Sequence, residues 1–176
     1  MVTSSTQPAL GAIRLAWWRE ALQRLDHSPP PPEPRLQAAA AELLTMGVTG
    51  AMLSGLEDGW ATLLDEEPDI ERVVERGTRL FAVGARLLGA DDRRLDPAAK
   101  LFALAQVARK RLMPTSHPTK QLDMLAGHRF PRRLRPLTAL ARLAARDVKQ
   151  APSIEAEATP GRALALLSHR LFGRVA

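Results

Sequence analysis

The sequence predicts an all-α fold, and three observations carry that expectation. Ala, Leu and Arg, all strong helix formers, dominate the 176 residues, while Val, Ile and Thr never gather into alternating strand-like runs. Proline, glycine and capping residues cut the chain into about seven or eight stretches of helical length. Hydrophobic residues make up 45% and charged residues 25%, the balance of a chain with a core to bury and not of a disordered one.

The first helix is expected over about Pro8 to Leu25, with Leu10, Ile13, Trp17 and Ala21 as its apolar stripe, widened by Leu22 and Leu25. His27 to Pro34 holds five prolines in eight residues, which makes it a stiff, polyproline-like connector. Arg35 to Met46 reads as a short helix closed by Gly47, and Thr49 can cap a helix to about Leu64. Asp69 caps the next, which runs to Gly89 with Ile70, Val73, Val74, Gly77, Phe81, Gly84 and Leu88 along its stripe. Two glycines inside an apolar stripe cost about 1 kcal/mol each against alanine, so another backbone or a bulky ligand is expected to approach there.

Asp96-Pro97 reads as an N-cap followed by proline at the first helical position, opening a helix to Leu112. A short helix at Thr119–Gly127, a longer one at about Pro131–Gln150 and a last one opened by Thr159-Pro160 and reaching Phe172 complete the expectation. No repeat is visible, and residues 1–176 are expected to form a single helical domain.

Several function classes drop out on composition. The absence of cysteine excludes disulfides, thiolate zinc sites and a cysteine nucleophile. The histidines His27, His117, His128 and His169 show no metal-ligand spacing. Neither a nucleophile elbow nor a phosphate-cradling glycine loop occurs. The acidic clusters Asp65-Glu66-Glu67 with Asp69, and Asp91-Asp92 with Asp96, read as solvated helix ends and loops. No apolar run approaches the roughly 18 residues of a membrane span. Met1 to Gln7 lacks the pattern of a signal peptide. The expected location is the cytoplasm, at most peripheral at the inner membrane face.

Charge is the stronger signal. Residues 1–90 carry 8 Arg against 12 Asp and Glu, whereas residues 91–176 carry 17 Lys and Arg against 7 Asp and Glu. Between Arg109 and Lys149 there are 11 basic residues and only Asp123 and Asp147 to answer them. Arg135, Arg142, Arg146 and Lys149 fall on one polar stripe of a helix whose apolar stripe is Leu137, Leu140, Ala144 and Val148. Such a patch suits a diphosphate, an anionic lipid or nucleic acid. The scarcity of aromatic residues for stacking and the lack of a reading motif argue against nucleic acid.

The segment Ile13-Arg14-Leu15-Ala16-Trp17-Trp18-Arg19-Glu20-Ala21-Leu22 resembles the squalene/phytoene synthase family, in particular its divergent bacterial branch. The likeness extends through Gly50–Leu64, Arg76-Gly77-Thr78-Arg79-Leu80-Phe81 and His169-Arg170-Leu171-Phe172-Gly173-Arg174. It implies an isoprenoid-synthase-like helical bundle, here incomplete at the N-terminus. Active members of the family join two prenyl diphosphates head to head through two Asp-rich motifs that hold Mg²⁺. The first motif would precede the tryptophan helix, where only Met1–Gln7 stand, with no carboxylate. The second has its best match at Leu104-Ala105-Gln106-Val107-Ala108-Arg109-Lys110, with Lys110 in place of the first Asp and Pro114 in place of the later one.

The resemblance therefore implies a non-catalytic relative that binds prenyl lipid, diphosphate or anionic membrane. Silent relatives that act as assembly factors for respiratory complex I are a precedent for an assembly role. Arg109, Lys110, Arg135, Arg142 and Arg146 are the expected diphosphate- or anion-binding residues, and Gly77, Phe81, Gly84 and Gln106 the expected pocket. No catalytic residue, metal ligand or cofactor is assigned. The alternatives are an active prenyl transferase, with Mg²⁺ at an altered site built from Asp65, Asp69, Asp91 or Asp92, and a basic helical nucleic-acid-binding protein. A chain lacking helices of its parent fold is also expected to expose apolar surface, part of the Trp17 stripe included, which a homodimer would cover.

Overall fold

A computed structural model describes residues 8–65, 67–109, 118–153 and 155–176. Every regular element among them is helical, and the one extended pairing is an isolated antiparallel bridge between Arg129 and Arg174. The protein is all-α. The chain divides into two compact units, residues 1–87 and 88–176.

In the first unit, α1 (Pro8–Arg24) is followed by the proline connector, which is not helical and begins to close on Glu33. The Glu33 carboxylate accepts from the Leu36 amide at 2.9 Å and caps α2 (Pro34–Ala38). The chain widens into a π turn (Ala39–Leu43), tightens into a 3₁₀ turn (Leu44–Met46) and stops at Gly47, whose φ of 77° suits glycine. Thr49 caps α3 (Gly50–Ser54) as expected, accepting from the Met52 amide at 3.1 Å.

The expected continuous helix to Leu64 is instead three short pieces: α3, α4 (Asp58–Ala61) and a 3₁₀ turn (Thr62–Leu64). Arg79 supplies a physical reason, because its guanidinium donates to the Gly55 carbonyl at 2.7 Å and draws that acceptor out of the helical ladder. Asp69 opens α5 (Ile70–Leu88) by accepting from the Glu71 and Arg72 amides, and Gly89 ends it at φ 59°.

The α1 stripe departs from expectation. Ala21 and Leu25 are buried with Leu36, and Trp18, Leu22 and Leu44 pack against them. Leu10, Ile13 and Trp17, however, stand exposed. The buried positions lie towards the C-terminal end of the stripe, and α1 packs there against α3, with further contacts to the segment Asp58–Leu64. There the backbones come so close that a Cβ on Gly50 would sit 2.0 Å from the Leu22 carbonyl oxygen.

In the second unit, α6 (Leu95–Arg109), α7 (Thr119–Leu125), a 3₁₀ turn (Arg132–Leu134), α8 (Arg135–Lys149) and α9 (Pro160–Phe172) follow in order. The α8 helix packs against both α6 and α9, and α7 packs on α6. Ala98, Ala99 and Ala103 on α6 and Ala141 and Ala145 on α8 are fully buried. Small side chains at such a contact let the two helices approach closely.

Here α6 begins at Leu95, two residues earlier than the Asp96 cap predicts. Asp92 accepts from the Arg94 amide at 2.8 Å, while Asp96 lies within the first turn and pairs with Lys100 at 3.0 Å. Pro97 is tolerated there because a first-turn amide has no intrahelical partner to lose. Thr159 caps α9 as expected. Gly173, at φ 73°, ends it and leads the chain back to the Arg129–Arg174 bridge, with Val175 fully buried.

Candidate functional site

The arginines of the basic stripe are committed to internal partners. Arg109 donates through Nε to Asp147 Oδ2 at 2.7 Å, and through Nη2 to Asp147 Oδ1 at 3.1 Å and to the Glu155 carbonyl at 2.8 Å. Arg162 donates to the same Asp147 carboxylate, which is only 5% exposed. One buried carboxylate thus ties α6, α8 and α9 together, and its bonds hold the Arg109 guanidinium firmly protonated. Arg146 pairs with Glu155, which also accepts from Thr159. These bonds pull the Glu155 carboxyl down to about 2.

Arg135 and Arg142 serve the backbone. Arg135 donates to the Arg170 and Leu171 carbonyls at 2.8 and 3.0 Å and to the Phe130 carbonyl at 3.2 Å. It thereby satisfies acceptors left open at the end of α9. Arg142 donates to the Val175 carbonyl at 2.9 Å, with its Nε buried and without a partner among the described residues. Lys110 lies outside the described residues.

Beneath this clasp sits His169, buried and neutral in character. Its Nδ1 donates to the Arg174 carbonyl at 2.8 Å, since a carbonyl can only accept, and its Nε2 meets the Thr138 hydroxyl at 2.9 Å. Burial, aided by Arg142 and Arg135, pushes its pKa below the usual histidine range and outweighs the backbone bonds that raise it.

Between α8 and α9 the surface opens into a groove of about 760 Å³, within the roughly 300–1,000 Å³ typical of small-molecule sites. Pro136, Ala139, Leu166 and Leu171 make its walls apolar. Arg132, Arg135 and Arg170 set positive charge along it. Arg132 and Arg170 are exposed, and among the described residues neither pairs with a carboxylate. This combination fits an amphiphile with an anionic head and a hydrocarbon body. Arg132 belongs to the basic patch between Arg109 and Lys149 that the sequence marks for an anion, though not to the five residues singled out there, and Arg170 lies outside that patch. Their signal was the pairing of an arginine-rich helix start with an α9 that is leucine-rich all round.

The other expected pocket residues do not gather here. Phe81 and Gly77 are buried on α5 in the first unit, and Gly84 is half-buried one turn further on. Gln106 lines a small cleft of about 150 Å³ in the second unit, beside Arg109 and Asp147. The first unit also buries Arg76, which stacks 4.0 Å from the Trp60 ring centre while its Nη1 has no partner among the described residues. Burial lowers its pKa.

Three of the four carboxylates of the enzyme alternative have structural work. Asp69 caps α5, Asp91 accepts from the Asp92 amide, and Asp92 pairs with His128 at 2.9 Å. Asp65 is exposed. Among the described residues, no three His, Asp or Glu side chains are grouped so as to hold a metal ion. None of the single helices among those residues is long and apolar enough to cross a membrane. No protein-family model, curated protein or solved structure matches the chain.

Proposed function

We propose that the chain is a non-catalytic member of the squalene/phytoene synthase family that binds an anionic amphiphile of the prenyl diphosphate class. The observation that carries this reading is the α8–α9 groove, with apolar walls and the guanidiniums of Arg132 and Arg170, which pair with no carboxylate among the described residues. The hydrocarbon lies along Pro136, Ala139, Leu166 and Leu171, where removing it from water drives binding. The phosphates meet Arg132 and Arg170 in charge-assisted hydrogen bonds. Arg135 stays on the α9 carbonyls and keeps the groove in shape. The sequence resemblance and the all-α architecture support an isoprenoid-synthase-like ancestry. Within that reading, the arginines of the groove take the place of a metal in answering the diphosphate.

Calorimetric titration tests the reading with farnesyl diphosphate, farnesol and inorganic pyrophosphate. Farnesyl diphosphate binds more tightly than either fragment, and Arg132→Gln with Arg170→Gln weakens it at least about tenfold, since hydrogen bonds to charged groups contribute about 1.5–3 kcal/mol each. Equal binding of wild type and the double variant would refute the site. Pyrophosphate release from farnesyl diphosphate and Mg²⁺ would refute the non-catalytic reading.

A further inference from the structure

The α9 helix presents two opposite faces, one buried and one exposed. Arg162, Ala165 and His169 form the face buried in the second unit. Leu164, Leu167 and Leu171, at i, i+3 and i+7, form the face directly opposite and stand 66%, 53% and 60% exposed. Phe172 adds an exposed ring at the end of the helix. Three exposed leucines in register on one helix are a contiguous patch and not the scattered apolar exposure normal for a protein surface.

The charge beside this stripe selects its partner. Arg129 and Arg174 are exposed and held together by the antiparallel bridge, and exposed Arg132 and Arg170 stand beside Leu171 at the groove. Among the described residues none of the four pairs with a carboxylate. The exposed carboxylate of Glu157 precedes the opposite end of the helix. The cluster carries one sign of charge, and an anionic bilayer would receive both the arginines and the leucines. With 13 residues, α9 is about 20 Å long, too short to span and suited to lying in the interface.

We infer that the outer face of α9 docks the second unit on an anionic membrane surface, with Leu164 and Leu167 entering the headgroup boundary and Arg129 and Arg174 meeting the lipid phosphates. The docking does not depend on an amphiphile occupying the groove, because none of these four residues lines it.

Vesicle flotation of the full chain tests it, with phosphatidylcholine alone and with phosphatidylcholine containing phosphatidylglycerol. Wild type floats with the anionic vesicles, stays behind with the neutral ones and is released by salt. Leu164→Gln with Leu167→Gln, two positions outside the groove, weakens flotation at least about tenfold while the melting temperature and farnesyl diphosphate titration stay unchanged. Arg129→Gln with Arg174→Gln weakens it on anionic vesicles only. Undiminished flotation of the leucine variant would overturn the proposal, as would equal flotation on neutral vesicles. Wild-type self-association that the leucine variant abolishes would overturn it in favour of a second copy of the chain.

Discussion

Removing the Asp147 carboxylate should cost stability, because it is buried between two arginines. The carboxylate, 5% exposed, accepts from Arg109 at 2.7 and 3.1 Å and from Arg162. Asp147→Asn keeps the shape and one acceptor but removes the charge, so that Arg162, itself buried, and Arg109 confront each other uncompensated. Breaking a buried ion pair by removing one partner costs about 3–5 kcal/mol. Arg109 retains the Glu155 carbonyl at 2.8 Å, which places the expected loss near the lower end, about 3 kcal/mol. For a chain of 176 residues that lowers the melting temperature by about 6–12 °C. Urea denaturation followed by helical circular dichroism measures it. Replacing all three groups together, Arg109→Met, Asp147→Leu and Arg162→Met, should cost less than Asp147→Asn alone, because apolar residues leave no stranded charge. A loss under about 0.5 kcal/mol for Asp147→Asn, the size of an ordinary surface substitution, would refute the claim that these arginines are structural.

Other outcomes follow from neighbouring contacts. The Glu155 carboxyl, held at about 2 by Arg146 and Thr159, contributes stability that is fully present above its ordinary value of 4.5 and is lost as pH falls towards 2. The stability gap between wild type and Glu155→Gln, read from urea midpoints, should therefore close across that window. His169, whose pKa burial lowers, favours folding above its ordinary value of 6.5. Stability should decline as pH falls below that value, and His169→Gln should flatten the decline in the same midpoints. Gly50→Ala would put a Cβ 2.0 Å from the Leu22 carbonyl oxygen and force α3 away from α1. Overpacking of this kind costs about 1–3 kcal/mol, measurable as a lowered melting temperature.

The punctuation of the fold was legible in the sequence because caps and stops act through their own residues. Thr49, Asp69 and Thr159 cap helices by bonding to amides two or three positions on, and Gly47, Gly89 and Gly173 end helices with positive φ. The α6 start was misplaced because Asp92 and Asp96 both have the chemistry of a cap, and spacing alone does not choose between them. The break at Gly55 depends on Arg79, 24 residues away, and no local pattern reports it. The same holds for the basic stripe. Arg135 and Arg142 look like a solvated face when only their own helix is considered, yet they donate to the carbonyls of Arg170, Leu171 and Val175. Backbone acceptors carry no sequence signature, so the clasp was invisible and the cations it uses looked free. The groove stayed hidden for a related reason: Pro136, Ala139 and Leu166 become a wall only once α8 and α9 lie side by side.

Hydrogen–deuterium exchange of the full chain with and without saturating farnesyl diphosphate tests the central claim most directly. Bound ligand should slow exchange over residues 132–139 and 166–171, which form the α8–α9 groove, and should leave α5 around Gly77 and Phe81 unchanged. Protection centred on α5, or on the Gln106 cleft, with the α8–α9 groove unaffected would contradict the account.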